Sequence, residues 1–514
     1  MAQTETSHRP KINPVIGLSI ALGIAIVGML SVYVAGNARG YDPSFAVLLR
    51  NTLLMSCFFI IYQILKKGYK GDFSILVVVA LLTGVGFVVQ YRISSAINVD
   101  FQKTLVRQYS AAAIDKALRD SVATDTSVVG VSPAGAERER SLEAIQKEAR
   151  QLLKLDQFKF GQVLREMVEG LPGWSRLIVS YLAALFALVY LVKKCGKTGF
   201  MDSLEKPFFW VTLTIFLLVV FVALSEVGSR GRFVYNMTPW EAFKITIIIF
   251  LAGFFSRYKD DFTRKAPKVK GKRLQRILVP WGPFLLIWLI PQLLFVLLKD
   301  FGQVIIYGGL VIVMIFVTTR RYIYLFGGIA ATALVSKSIF LLEGIVPSHA
   351  LQRFLIWSDI WRLPHDAAWW DDVYQIMNSF FALNAGGWAG TGLGLGYPTN
   401  IPQVVSDFVY AAIAEEIGFL GSTLIVMLYL VLFLLGMRVV VQAETSFEKL
   451  LATGFTAMLA IQVFVNIGGV IKLIPLTGIT LPFISRGGFS FLISFILVGF
   501  LMGLSHRNGM KEIA

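Results

Sequence analysis

Charge is scarce in this chain of 514 residues. Only 16% of them are Asp, Glu, Lys or Arg, whereas 56% are hydrophobic. That balance excludes an ordinary soluble domain and places the chain among multi-spanning membrane proteins. Cysteine is scarcer still, with Cys57 inside an apolar run and Cys195 in a basic loop. Two such residues offer neither a disulfide framework nor a Cys-based metal site. Acidic residues are outnumbered, 32 against 48 basic, for a net charge of +16. In a soluble protein this excess would suggest nucleic acid. Here the basic residues cluster in short loops between apolar runs, the pattern of topology determinants, so no nucleic-acid partner is expected. No tandem repeat of soluble type is present.

Apolar runs near 20 residues are abundant. They predict membrane helices at about 14–35, 44–65, 73–93, 176–193, 207–225, 240–256, 279–298, 302–318, 322–342, 417–437, 448–468 and 486–505, giving an all-α polytopic membrane protein of about twelve spans. The first run is long enough to span and lacks a small-residue cleavage site, so no cleavable signal peptide is expected. With the N-terminus in the cytoplasm, the inside loops "KKGYKGD", "KKCGKTGFMDSLEK", "RYKDDFTRKAPKVKGKRLQR" and "TTRRY" are richer in Lys and Arg than outside loops such as "NARGYDPS". Both termini are therefore expected in the cytoplasm. Two extracytoplasmic segments are long. Residues 94–175 combine a flexible stretch with a helical period in "SLEAIQKEARQLLKLDQFKFGQVLREM". Residues 343–406 carry tryptophans from Trp357 to Trp370, Tyr374 and then a glycine-rich stretch, suited to the bilayer interface.

Polar groups inside a bilayer are costly and mark function. By this topology one set gathers on the extracytoplasmic side: Arg230, Arg232, Glu241, Lys244, Asp300, Arg353, Gln375 and Asp407. Glu241 and Lys244, three apart, share a helix face and can form a structural ion pair. Asp300 stands where two spans meet with almost no loop, and can simply cap the next helix. Arg230 and Arg232 can anchor at the interface, or with Lys244 form a cationic site for phosphate. In "GGWAGTGLGLGYP", Gly390, Gly392, Gly394 and Gly396 recur every second residue. A nucleotide loop should follow a strand and open a helix, so a tightly turning backbone near a ligand fits better.

The stretch "SDFVYAAIAEEIGFLG" carries three acids, Asp407, Glu415 and Glu416. From Asp407 to Met437 it is too long for one simple span. Residues 407–416 are thus expected to form an outer-leaflet helix, with the span itself beginning at Gly418. At 100° per residue Glu415 lies about 80° round from Asp407, and Glu416 lies opposite. Asp407, starting that helix, has the freest access to an outside substrate, although Asp407 or Ser406 can also act as N-cap. Glu416 needs another partner.

Five segments in order resemble the SEDS family of RodA- and FtsW-like proteins: "TPWEAFK", "LKDFGQ", "YQIMNSFFALNAGGWAGTGLGLG", "IPQVVSDFVYAAIAEEIGFLG" and "GVIKLIPLTGITLPFISRGGFSF". The resemblance covers about residues 72–505. It implies an extra helix pair at 1–71 and a membrane core at 72–514. That core holds an insertion at 94–175 and a loop at 343–406, which leads by a short helix into 407–437. Four positions depart from the family pattern: Gln403 for a glutamate, Trp240 for a serine, Phe301 for a leucine and Arg486 for a tyrosine. The resemblance implies a peptidoglycan glycosyltransferase polymerising lipid II outside the cytoplasm, for cell-shape or division wall synthesis. Asp407 would be the catalytic base. Arg232, Glu241, Lys244, Asp300, Arg353, Gln375, Glu415 and Ser485 would contact substrate. A divalent cation, Mg or Mn, is compatible with this chemistry, and no organic cofactor is expected. The expected partners are lipid II, the undecaprenyl-pyrophosphate-linked glycan and a class B penicillin-binding protein, in the bacterial cytoplasmic membrane. A lipid-precursor flippase and a non-catalytic scaffold for that transpeptidase are the alternatives.

Overall fold

The computed structural model describes residues 13–39, 43–96, 174–206, 239–263, 300–339, 355–358 and 370–511, with a few positions between 210 and 217 and between 288 and 295. The described residues are all-helical apart from turns and loops. The helices are α1 (Pro14–Ala38), α2 (Phe45–Lys66), α3 (Ser74–Ala96), α4 (Trp174–Cys195), α5 (Thr198–Leu204), α6 (Pro239–Thr263), α7 (Phe301–Thr319), α8 (Tyr322–Ile339), α9 (Trp370–Gly386), α10 (Val409–Gln442), α11 (Ser446–Val470) and α12 (Gly488–Lys511). Among the described residues eight of these are long and apolar enough to cross a membrane: α1, α2, α3, α4, α7, α10, α11 and α12. Helices α6 and α8 occupy two further expected spans. The runs at 207–225 and 279–298 fall largely outside the described residues, as do nearly all of 94–175 and the tryptophan-rich part of 343–406.

Local signals explain several boundaries. Pro14 opens α1, where its missing N–H costs nothing, and the Asn13 side chain caps it by accepting from the Val15 N–H at 3.0 Å. Thr445 caps α11 in the same way through the Glu448 N–H. α11 lies at the centre, packed against α6, α7, α10 and α12. In a bilayer such contacts rely on close fit rather than on expelled water, so small residues line them. α12 runs along α4 with Gly503 against Cys195 and Gly499 against Leu188 and Leu191. Cys195 is therefore the buried last residue of α4 rather than a loop residue, because the basic run around it already begins within the helix's last turn, at Lys193 and Lys194.

The N-terminal pair is built into this assembly. α1 and α2 pack together, and Gly17 and Gly28 of α1 lie against Val77 and Val88 of α3. The end of α1 also touches the glycine-rich loop: Arg39 Nη1 donates to Leu395 O at 2.8 Å, and its guanidinium lies 5.5 Å from the Tyr397 ring centroid.

The expected division of α10 is present, with one correction. Gly418 has φ 68° and ψ −172°, which breaks the helix into 409–417 and 419–442. The first piece begins at Val409 behind Phe408, so Asp407 lies in the preceding turn and neither starts nor caps the helix. The cause is Gln403, at φ 55°, whose carbonyl gathers the N–H groups of Ser406, Asp407 and Phe408 and closes the turn two residues early.

Candidate functional site

A broken helix leaves carbonyls and N–H groups without their i,i±4 partners. At Gly418 the glycine-rich loop supplies the replacements. Glu415 O accepts from Thr391 N at 2.9 Å, and Glu416 O accepts from Gly392 N at 3.0 Å. On the other side, Phe419 N donates to Gly387 O at 2.8 Å and Leu420 N to Trp388 O at 3.2 Å. The two backbones approach so closely that a Cβ at Gly418 would strike Gly390 N and Ala389 C, while one at Gly390 would strike Glu416 O.

The two glutamates fasten the same loop with their side chains. Glu416 Oε1 pairs with Arg92 Nε at 2.8 Å, and its Oε2 accepts from Gly394 N at 3.1 Å. Arg92 Nη2 also donates to Gly396 O at 2.9 Å. Glu415 Oε1 accepts from Tyr397 N at 2.9 Å. Glu415 Oε2 is buried and has no hydrogen-bond partner among the described residues, beside the place a Cβ on Gly396 would occupy. Glu416 thus has the partner that its opposite face demanded, and Glu415 is turned into the loop.

Asp407 occupies the turn at the head of this broken helix and is half-buried. Its carbonyl accepts from Asn466 Nδ2 at 3.0 Å, and that amide also donates to Ile479 O at 2.6 Å. Its carboxylate lies beside Gly478, with Oδ2 3.5 Å from the position of an added Cβ. Gly478 has φ 72°, so the 477–479 segment turns directly past the acid. The far side of that segment meets α7, where a Cβ on Gly302 would lie 2.7 Å from Thr477 O. Asp300 caps α7 there, accepting from Gln303 N at 3.4 Å. Asp300 and Asp407 therefore flank one short segment.

Glu241 and Lys244 form the ion pair that their spacing suggested. Lys244 Nζ lies 2.8 Å from both Glu241 oxygens and 3.4 Å from Gln462 Oε1, with the lysine fully buried and the glutamate 6% exposed. Gln462 Nε2 donates on to Thr480 O at 3.2 Å. Gln462 and Asn466 lie one turn apart on α11, so one helix face links the Glu241–Lys244 pair to the Asp407 turn. Ser485 completes the frame: its hydroxyl donates to Ser406 O and accepts from Leu481 N at 2.8 Å. Gln375 is half-buried on α9. Arg230, Arg232 and Arg353 lie outside the described residues.

Sequence reasoning missed Arg92, Gln462 and Asn466. The two amides had a legible signal, an i,i+4 polar pair within the apolar run "IQVFVNIGG". Arg92 had a weaker one, a lone cation near the end of a span. Among the described residues, no group of three or more His, Cys, Asp or Glu side chains gathers as a metal cage. A cation held by a single carboxylate and substrate phosphates would need no such cage.

The model of the cell cycle protein family FtsW/RodA/SpoVE matches residues 165–509. The peptidoglycan glycosyltransferase RodA of Mycobacterium tuberculosis (strain ATCC 25618 / H37Rv) is 35% identical over 291 residues, which cover 55% of this chain and 59% of that protein. The chain thus spans little more than half the length of the mycobacterial relatives it matches. Stage V sporulation protein E of Bacillus subtilis (strain 168) is 32% identical over 301 residues, 58% of this chain and 76% of that one. A solved chain described under the structural coordination of polymerization and crosslinking by a peptidoglycan synthase complex has the same fold, with a TM-score of 0.50 at 22% identity, covering 66% of this chain and 90% of that one. Because the family match takes in well over half of the sequence and all of the Asp407 network, the chain is a multi-pass protein of the bacterial cytoplasmic membrane and belongs to the FtsW, RodA and SpoVE family.

Proposed function

We propose that the protein is a peptidoglycan glycosyltransferase that polymerises lipid II on the outer face of the membrane, with Asp407 as general base. The Asp407 turn carries the proposal. A half-buried carboxylate stands at the head of an outer helix segment, held by backbone contacts that leave its side chain beside a glycine turn. The names borne by the mycobacterial relatives support the same reading.

In this reaction the 4-hydroxyl of a lipid-linked disaccharide attacks the anomeric carbon of a glycan held on undecaprenyl pyrophosphate. A C–O bond forms, the bond to pyrophosphate breaks with its electron pair, and the hydroxyl proton passes to Asp407. Lys244, already bound to Glu241 and Gln462, braces the Asp407 turn through α11. Arg232 and Arg353 are the proposed cations for the developing pyrophosphate charge. Asp300, Gln375 and Ser485 shape the surrounding pocket, and Glu415 acts on it through the glycine-rich loop. A divalent cation carried on the substrate phosphates would add Lewis-acid stabilisation. A class B penicillin-binding protein is the proposed partner, in keeping with the solved relative, whose synthase complex coordinates polymerization with crosslinking.

The test is polymerisation of lipid II by purified protein. Asp407→Asn should lower the rate by about 10²–10⁴-fold, the usual share of a general base, while the melting temperature holds. Undiminished polymer would remove Asp407 from this role. Translocation of lipid II in vesicles without any glycan product would favour a flippase instead.

A further inference from the structure

The two glutamates before the helix break are held in different ways. Glu416 is neutralised by Arg92 Nε at 2.8 Å and accepts from Gly394 N. Glu415, only 5% exposed, lacks such a pairing among the described residues. Its carbonyl accepts from the Thr391 N–H and hydroxyl, at 2.9 and 3.0 Å, and its Oε1 accepts from Tyr397 N at 2.9 Å. Its Oε2 is closed off from solvent and has no hydrogen-bond partner among the described residues. A charged oxygen in that position loses its hydration and gains nothing in return. A neutral carboxyl group loses far less.

The surroundings decide what relieves the charge. Glu416 on the same helix and Arg92 from α3 are the charged groups that act on Glu415. Arg92 directs its Nε to Glu416 and its Nη2 to Gly396 O at 2.9 Å, and a second acid beside an ionised one is driven toward its neutral form. Gly386 of α9 packs on the backbone of Ala414 and Glu415, and a Cβ on Gly396 would stand 3.0 Å from Oε2. From the loop, the Tyr397 phenol is exposed and lies under the Arg39 guanidinium of α1. A water or a cation at Oε2 would have to push these backbones apart, whereas a proton needs no added space. We propose that Glu415 is a positioning residue that holds the glycine-rich loop as a neutral carboxylic acid, with its proton on Oε2.

That proton ties the loop to pH. A glutamate released into water ionises near pH 4.3, so at neutral pH opening of the loop releases the proton and closing takes it up. The closed loop binds more protons than the open one. It is therefore most stable in acid and loosens as pH rises, its opening constant growing by up to about tenfold per pH unit.

Two measurements on the full chain in detergent test this. An infrared difference spectrum at neutral pH, wild type minus Glu415→Gln, should contain the carbonyl stretch of a protonated carboxyl group. Carboxylate bands in its place would overturn the proposal. Amide exchange at 394–397 should accelerate with pH more steeply in the wild type than in Glu415→Gln, by up to about tenfold per unit. A ratio of the two rates that stays flat from about pH 6 to about pH 8 would show that the proton does not govern the loop. Glu415→Ala, which loses the bond to Tyr397 N, should exchange faster than wild type throughout, and Glu415→Gln, which copies the neutral acid, should restore slow exchange at neutral pH. A Gln variant as loose as the Ala variant, or one that does not fold, would equally count against the neutral form. Because the proton and the loop are read directly, the outcome does not depend on whether the protein polymerises lipid II.

Discussion

Lys244 and Glu241 are each a poor tenant of a bilayer alone and a stable one together. Removing one partner from a buried pair strands the other charge, at a cost of about 3–5 kcal/mol, whereas removing both costs far less. Glu241→Gln should therefore lower the melting temperature of the detergent-solubilised protein more than the double variant Glu241→Gln/Lys244→Met does. Simple additivity of the two single variants would show that they do not act as a pair. The spacing of these residues and the capping role open to Asp300 were legible in sequence because both are local rules. The glutamates of 415–416 were legible only in part. Angles along an ideal helix gave Glu416 its opposite face and its need for a partner. They could not reveal that one loop would wrap both faces, because that follows from the break two residues later. Gln462 and Asn466 escaped notice for a related reason: their partners are loop carbonyls from elsewhere in the chain, and no spacing rule reports those.

Within single elements, α10 shows how far length alone can be read. A 31-residue run exceeds a bilayer, and the sequence placed the change of character at Gly418, where the helix indeed breaks. The manner of the break is not a local property, since it depends on the backbone of residues 387–392 replacing the lost helix bonds. The φ/ψ of Gly418 is one that residues with a Cβ adopt at a cost of about 1–3 kcal/mol, and the contact with Gly390 adds to that. Gly418→Ala should lower the melting temperature by several degrees and speed amide exchange across 386–396. A variant with unchanged exchange there would show that the loop does not depend on the break. The turn before α10 was misjudged by two residues because a single carbonyl, that of Gln403, collects three N–H groups, an arrangement with no periodic signature.

Across the whole molecule, the N-terminal helix α1 reaches the glycine-rich loop. Val32 and Ala35 of α1 lie under Gly394, and Arg39 holds Leu395 and Tyr397. A protein lacking residues 1–66 should show faster amide exchange at 394–397 than the full chain, by about tenfold for each 1.4 kcal/mol of lost support. Unchanged exchange would make the pair a bystander to the loop. The all-helical membrane class was plain from hydrophobic runs alone, because the bilayer leaves so few solutions. The docking of α1 against α3 and the glycine-rich loop was not, because it rests on small residues fitting distant ones.

The contact between the glycine-rich loop and the broken span also constrains how this sequence can drift. A methyl group on Gly418 would meet Gly390 N, and one on Gly390 would meet the Glu416 carbonyl and then Gly418 N. A side chain at either position forces the two backbones apart, and each position also carries strain of its own, with φ 87° at Gly390 and 68° at Gly418. The shared clash is lost with the first change but each position keeps its own backbone strain, so paired substitutions should cost less than the sum of the two singles and more than either one alone.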